Sequence, residues 1–178
     1  LEDTTARFYP HGRFMCHLLG FVNHEGVGSA GIEQYVNSSL TGCPGILETR
    51  VDGLRQELYC ERTTYVPPLG GADVVLTSDQ NVQFFVESAL DDLVAARETK
   101  GAWAIVQRIR TGEILAMASR PDYDPNRFRF STERERLNRA VGFVYEPGST
   151  MKTAVIAAAL NEGLVTRDTE IDCEQGRW

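Results

Sequence analysis

Apolar residues along the chain switch between strand-like runs and helical spacing. From His17 to Val22 they run together, which predicts a short extended segment, and Gly26, Gly28 and Gly31 mark a loop after it. Ile32, Tyr35, Val36 and Leu40 then recur at helical spacing, with Gly42 where such a helix would stop. Residues 45–51 and 57–66 read as two strands joined at Asp52-Gly53, a hairpin signal. Pro67-Pro68 and Gly70-Gly71 interrupt the pattern, so a domain boundary is expected near residue 70.

A strand over residues 73–77 is expected next, then a helix cap at Ser78 or Asp79. Val82, Phe85, Val86, Ala89, Leu90, Leu93 and Val94 trace one broad apolar face of a long helix. Residues 102–109 and 113–119 predict a hairpin turning at Thr111-Gly112. Both runs are apolar on both faces, which predicts a sheet covered on both sides. Residues 121–126 are rich in turn formers. Met151, Val155, Ile156, Ala159 and Leu160 predict a mostly apolar, buried helix ending near Gly163. The fold class expected is α+β in two parts, residues 1–70 and 71–178.

Composition narrows the functions. Apolar residues make up 42% of the 178, enough for a core, and the net charge of −7 argues against nucleic-acid binding. Arg127, Arg129, Arg134, Arg136 and Arg139 are interleaved with Glu133 and Glu135, which predicts a solvated face. The longest apolar stretch, residues 153–160, is far short of the ~20 residues that span a bilayer. Without a starting Met or a signal peptide, both ends are expected to be cut, so an upstream membrane anchor stays open. Cys16, Cys43, Cys60 and Cys173 have no CxxC spacing and are expected to be free, a Cys43–Cys60 bridge being the minor alternative. His11, Cys16, His17 and His24 match no standard ligand spacing, so no metal is expected.

The chemistry-bearing motif is Ser149-Thr150-Met151-Lys152, an S-x-x-K where a helix begins behind Pro147-Gly148. Residues three apart on a helix share a face, so the hydroxyl and the amine can meet. A serine hydroxyl needs a neighbouring base to become a nucleophile, and a lysine held neutral by burial can serve. Taken alone, this spacing is common by chance, and a serine near a helix cap with an exposed lysine one turn on is the more ordinary explanation.

Further strings give the motif context. Residues 145–152 resemble the active-site signature of class B penicillin-binding proteins, and residues 111–121 resemble the hairpin before it in that family. Asp124-Pro125-Asn126 and Asn138-Arg139-Ala140-Val141 are similar to its linking segment. Arg7, Tyr9, Pro10 and Gly12 fit the R-x-Y-P-x-G box of the family's non-catalytic pedestal, and Gly28, Gly31 and Glu33 fit its G-x-x-G-x-E box. The string from His17 to Phe21 onward is closest to the division-specific, septal type.

The resemblance implies a pedestal (dimerisation-type) domain followed by an incomplete, β-lactamase-like transpeptidase domain. It implies Ser149 as nucleophile and Lys152 as general base, acting on the D-alanyl-D-alanine end of peptidoglycan stem peptides and acylated by β-lactams, with no cofactor. It further implies a single-pass anchor upstream, an extracytoplasmic location, and a membrane glycosyltransferase and division proteins as partners. The family also uses an S-x-N and a K-T-G after S-x-x-K, and neither is present. Ser78-Asp79-Gln80 and Arg110-Thr111-Gly112 come near these motifs but precede Ser149, and read as a helix cap and a turn. These residues alone are therefore expected to be inactive, to expose an unpaired strand edge and to self-associate. The competing expectation is a pedestal module that contacts division partners. Within the pedestal, Arg7 and Glu33 are expected to pair, and Gly28 and Gly31 to sit where a side chain would not fit.

Overall fold

The computed structural model describes residues 6–54 and 56–172. The elements run α1 (Cys16–Leu19), α2 (Gly31–Tyr35), α3 (Asn37–Leu40), β1 (Ile46–Glu48), β2 (Thr64–Val66), α4 (Gln80–Arg97), β3 (Ala102–Gln107), β4 (Ile114–Arg120), α5 (Glu133–Arg136), α6 (Arg139–Gly142) and α7 (Met151–Asn161). Short 3₁₀ turns occupy Tyr59–Glu61, Pro125–Phe130 and Gly148–Thr150. The mixture is α+β.

The centre of the first unit is α4 laid across the β3–β4 hairpin. Asp79 caps α4, its carboxylate accepting from the Asn81 and Val82 amides at 2.8 and 3.0 Å. Leu90, Ala102 and Ala118 form a small core, with Val86, Val94 and Ala104 packed against it. The strands are antiparallel, pairing Ala104 with Ala118 and Ile105 with Met117, with an irregularity between Val106 and Gln107. Small residues on the inner face of the hairpin let the helix approach closely.

The α4 side departs from its expected pattern. Phe85 and Leu93 are exposed, and the residues that α4 buries most deeply include Gln83 and Glu87. Polar residues take these positions because Gln83 meets both main-chain groups of Met117 on the edge of β4 and Glu87 accepts from the Met15 amide, bonds that apolar side chains cannot make. The covered sheet expected from the hairpin is also only half realised: Ala116, Ala118 and Ser119 on β4 are buried, whereas Ile105 on β3 is 45% exposed.

Other segments differ in detail. The extended run expected over 17–22 begins as helix α1, and Val22 makes an isolated bridge to Gly28. The helix expected from Ile32 to Leu40 is broken at Val36, whose φ/ψ of −109/22 separates α2 from α3. The β1–β2 hairpin exists, with a Val51–Glu57 bridge toward its tip. Residues 73–77 form no strand. Their place is explained by Thr77, whose hydroxyl donates to the Ile114 carbonyl at 2.8 Å and ties the segment to β4.

The chain divides by compactness after Phe143, giving units 1–143 and 144–178. Across residue 70 the first unit is continuous: Glu87 accepts from the Met15 amide at 2.9 Å, and Tyr123 donates to the Cys16 carbonyl at 3.1 Å. In the second unit α7 is the one α-helix among the described residues. Val155, Ile156 and Leu160 are 58%, 56% and 46% exposed, which overturns the expectation of a buried helix. An apolar helix is buried only when another surface is laid on it, and the described part of that unit supplies none.

Candidate functional site

The S-x-x-K motif opens the α7 segment. Pro147 is in the helical region, Gly148–Thr150 form a 3₁₀ turn, and α7 follows without a break from Met151. The Thr150 hydroxyl and amide both bond back to the Pro147 carbonyl, closing the turn. Ser149 therefore stands in the turn just ahead of α7 and Lys152 in its first turn, both exposed. A spacing of three along helical backbone sets their side chains on one face. The turn also brings free main-chain N–H groups and the positive end of the helix dipole close to Ser149.

The two boxes near the N-terminus come together. The Arg7 guanidinium pairs with the Glu33 carboxylate at 2.9 Å, and the Tyr9 hydroxyl donates to the same carboxylate at 3.4 Å. Burial first, and then the negative charge of Glu33, push the Tyr9 phenol well above its ordinary pKa, so it stays a donor. Pro10 and Gly12 form the turn after Tyr9, closed by the Gly12 amide bonding the Tyr9 carbonyl at 3.1 Å. A Cβ on Gly28 would lie 2.0 Å from the Glu33 carbonyl oxygen. Gly31 adopts φ +56, and a Cβ there would lie 2.6 Å from the Leu18 carbonyl oxygen. Both glycines let backbone segments cross in contact, which sets Glu33 opposite Arg7.

Sequence reasoning missed a second constellation. Arg120, only 5% exposed, ends β4 and is bound by acidic residues. It meets Asp91 at 2.6 Å, Asp122 at 3.6 Å and Glu87 at 3.7 Å. Burial opposes its charge, but Asp91, Asp122 and Glu87 together hold the guanidinium above its ordinary pKa. In return, the hydrogen bond from Arg120 lowers the pKa of Asp91. Asn126 reaches back to the first box, accepting from the Tyr9 amide and donating to the Tyr9 carbonyl, both at 2.9 Å. The available signal was the Gln83/Glu87 pair, two polar residues one turn apart within the apolar periodicity of α4.

Among the described residues no three histidine, cysteine or acidic side chains gather into a group that could hold a metal ion, and only Cys16 and His17 of the expected set touch. The His17 Nε2–H donates to the Glu135 carbonyl at 2.7 Å, leaving Nδ1 to accept from the Cys16 thiol at 3.4 Å. Burial holds the His17 imidazole below its ordinary pKa and pushes the Cys16 thiol up to about 12. Cys16, Cys43 and Cys60 are free thiols, and Cys173 lies outside the described residues.

Comparison with known proteins places this geometry in a family. Residues 102–178 match the penicillin binding protein transpeptidase domain. A peptidoglycan D,D-transpeptidase FtsI of Buchnera aphidicola is 34% identical over 97% of this chain and 30% of its own length. Stage V sporulation protein D of Bacillus subtilis is 38% identical over 91% of the chain and 25% of its own length. Among solved structures, a peptidoglycan synthetase from Bifidobacterium adolescentis is similar with a TM-score of 0.73 and 31% identity over 92% of this chain and 30% of that one. Penicillin-binding protein 3 of Mycobacterium tuberculosis, solved with aztreonam, gives a TM-score of 0.73 at 27% identity, covering 93% of this chain and 34% of that one. Residues 102–178 thus carry part of a penicillin-binding protein transpeptidase domain. Over nearly its whole length the chain is similar to peptidoglycan D,D-transpeptidases of the class B type. It spans about 30% of the length of its FtsI relative.

Proposed function

We propose that these residues work within a serine D,D-transpeptidase of peptidoglycan synthesis, with Ser149 as nucleophile and Lys152 as its base. One observation carries the reading: Ser149 and Lys152 share a helical face at the turn that opens α7. The Ser149 Oγ attacks the carbonyl carbon of the penultimate D-alanine of a stem peptide, and its proton passes to the Lys152 amine. The C–N bond then breaks. The terminal D-alanine leaves with that proton on its nitrogen, and an acyl ester remains on Ser149. An amine from a neighbouring strand attacks the ester, restoring the Ser149 hydroxyl and forming the cross-link. A β-lactam carbonyl enters the same first step, and its opened ring stays on the serine. Main-chain donors at the turn stabilise the developing oxyanion.

The 178 residues contain no S-x-N or K-T-G after Ser149. The reading therefore assigns turnover to polypeptide that carries those motifs and none to these residues alone. Residues 1–70 form the pedestal, and residues 71–178 the first part of the transpeptidase domain. The septal type, an extracytoplasmic location and an upstream single-pass anchor complete the proposal. Among the described residues no helix is long and apolar enough to cross a membrane. The experiment is release of D-alanine from a stem pentapeptide by a gene product carrying all three motifs. Ser149→Ala abolishes release, and Lys152→Met lowers it by about 10²–10⁴-fold. Unchanged release by Ser149→Ala overturns the assignment.

A second role rests on the β1–β2 arm. Ile46, Leu47, Leu54, Tyr59 and Tyr65 are all exposed there, and a two-stranded ribbon rarely stands without a covering surface. The arm is assigned to contact with division proteins or a membrane glycosyltransferase. Leu47→Glu with Tyr65→Glu should weaken co-purification of that partner while leaving D-alanine release intact. Equal co-purification contradicts this role.

A further inference from the structure

Three segments of the first unit meet at His17. Its ring Nε2–H donates to the Glu135 carbonyl of α5 at 2.7 Å, and its own carbonyl accepts from the Asn138 side chain at 3.4 Å. The imidazole stands edge-on to the Tyr123 ring, with centroids 5.5 Å apart, and the Tyr123 hydroxyl donates to the Cys16 carbonyl at 3.1 Å. One side chain, 6% exposed, thus ties α1 to the turn after β4 and to the main chain of α5.

The junction has no good place for a second ring proton. A neutral imidazole donates from one nitrogen and accepts at the other, whereas the charged form donates from both. Nε2–H already has its acceptor. Nδ1 faces the Cys16 thiol at 3.4 Å, and sulfur accepts poorly. Of the charged groups around the ring, Asp122 on the turn favours the proton, while Arg120 at the end of β4 and Arg139 on α6 oppose it. Burial weighs most against it. The Glu135 carboxylate is turned to the Thr132 amide and hydroxyl. Burial keeps the Cys16 thiol and the Tyr123 phenol protonated.

We propose that α5 is a flap latched by His17, and that a proton on the imidazole releases α5 from α1 while α4 and the β3–β4 hairpin stay folded. Release lets both ring N–H groups bond to water. The flap is lightly held otherwise. It is a single turn that buries no residue, and its other ties run through side chains, from Arg134 to the Lys100 carbonyl at 2.6 Å and from Arg136 to the Phe128 carbonyl at 3.2 Å. Just beyond it, the Arg139 amide bonds to the buried Ser119 hydroxyl at 3.3 Å, which keeps α6 on β4. In the extracytoplasmic location proposed above, the flap answers to the pH of the surroundings.

The test is cleavage of the 178-residue chain by a glutamate-specific protease at pH 8 and pH 5, with sites mapped by mass spectrometry. A protease needs an extended stretch of chain, so it cuts after Glu133 or Glu135 once α5 is released, and after Glu87 of α4 once the whole unit unfolds. Dividing each rate by that of a free peptide of residues 127–141 removes the pH dependence of the protease. With the ordinary value of 6.5 in the released state, the corrected α5 rate should rise about 10- to 30-fold from pH 8 to pH 5. Glu87 should stay uncut at both. His17→Gln keeps a donor for the Glu135 carbonyl but does not titrate, so its rate should not change with pH. Cys16→Ser keeps His17 and gives Nδ1–H a better acceptor, so its rise should be smaller than that of the wild type. A wild-type rate that does not rise overturns the latch, as does cleavage after Glu87 as fast as in α5. So does a full rise in His17→Gln or in Cys16→Ser.

Discussion

The amide of Gln83 pairs with both main-chain groups of Met117 and so occupies the place of a neighbouring strand on the edge of β4. Gln83 is fully buried, and its Nε2 also donates to Glu87 at 2.7 Å. Gln83→Ala leaves two main-chain groups buried without partners and should cost about 2–4 kcal/mol in a urea titration. Gln83→Glu loses the donor and faces the Glu87 carboxylate. Its carboxyl is pushed up in the folded state, so the deficit relative to wild type shrinks as pH falls and grows as pH rises. A surface-like loss under 0.5 kcal/mol for Gln83→Ala contradicts this pairing.

The Arg120 constellation makes a different demand. Arg120→Met leaves Glu87 without its cation and Asp122 with only the more exposed Arg13 at 3.8 Å, and should destabilise the fold by about 3–5 kcal/mol. Arg120→Lys should recover only part of this, because one ammonium cannot serve the hydrogen bonds that the guanidinium makes to Asp91, the Ser119 carbonyl and the Glu87 carbonyl. The lowered pKa of Asp91 sets the pH sign. Its contribution is present above the ordinary carboxyl value of 3.8 and is lost as pH falls below it. Asp91→Asn should flatten that acid limb of the stability curve, read by denaturant midpoint.

His17 sets a second, milder acid limb. Burial holds its imidazole neutral, so below the ordinary value of 6.5 the unfolded chain takes up a proton that the folded chain refuses. Stability should fall as pH drops below about 6.5, and His17→Gln should reduce that slope. Equal slopes in the two proteins contradict a buried neutral imidazole.

The cysteines should separate by reactivity. The Cys16 thiol is 2% exposed and its pKa is pushed up to about 12, whereas Cys43 and Cys60 are exposed. Alkylation followed by peptide mass mapping should modify Cys43 and Cys60 in the native protein, and Cys16 only after unfolding. Modification of Cys16 at the rate of Cys43 would mean that the α1 turn opens in the native state.

What the sequence shows and what it hides follow from the range of the interactions. The turn and helix at Pro147–Asn161 were legible because the Pro-Gly start, S-x-x-K spacing and helical period all lie within a few residues of each other. The Arg7–Glu33 pair was legible through its flanking glycines. Gln83, Glu87 and Arg120 were not, because their long-range partners lie 29 to 72 residues away and exist only once α4 packs on β4 and on the turn at Met15. Periodicity assigned Phe85 and Leu93 to the core on apolarity alone. The α7 helix shows the same limit, since apolar sequence states a demand for cover but does not supply the covering surface.

The central assignment is tested most directly by a fluorescent penicillin, with the label mapped by peptide mass spectrometry. The account predicts a stoichiometric adduct on Ser149 in a gene product that carries S-x-N and K-T-G, none in its Ser149→Ala variant, and none on the 178-residue chain alone. Robust labelling of Ser149 in the 178-residue chain, or an adduct on another serine of the larger product, would contradict it.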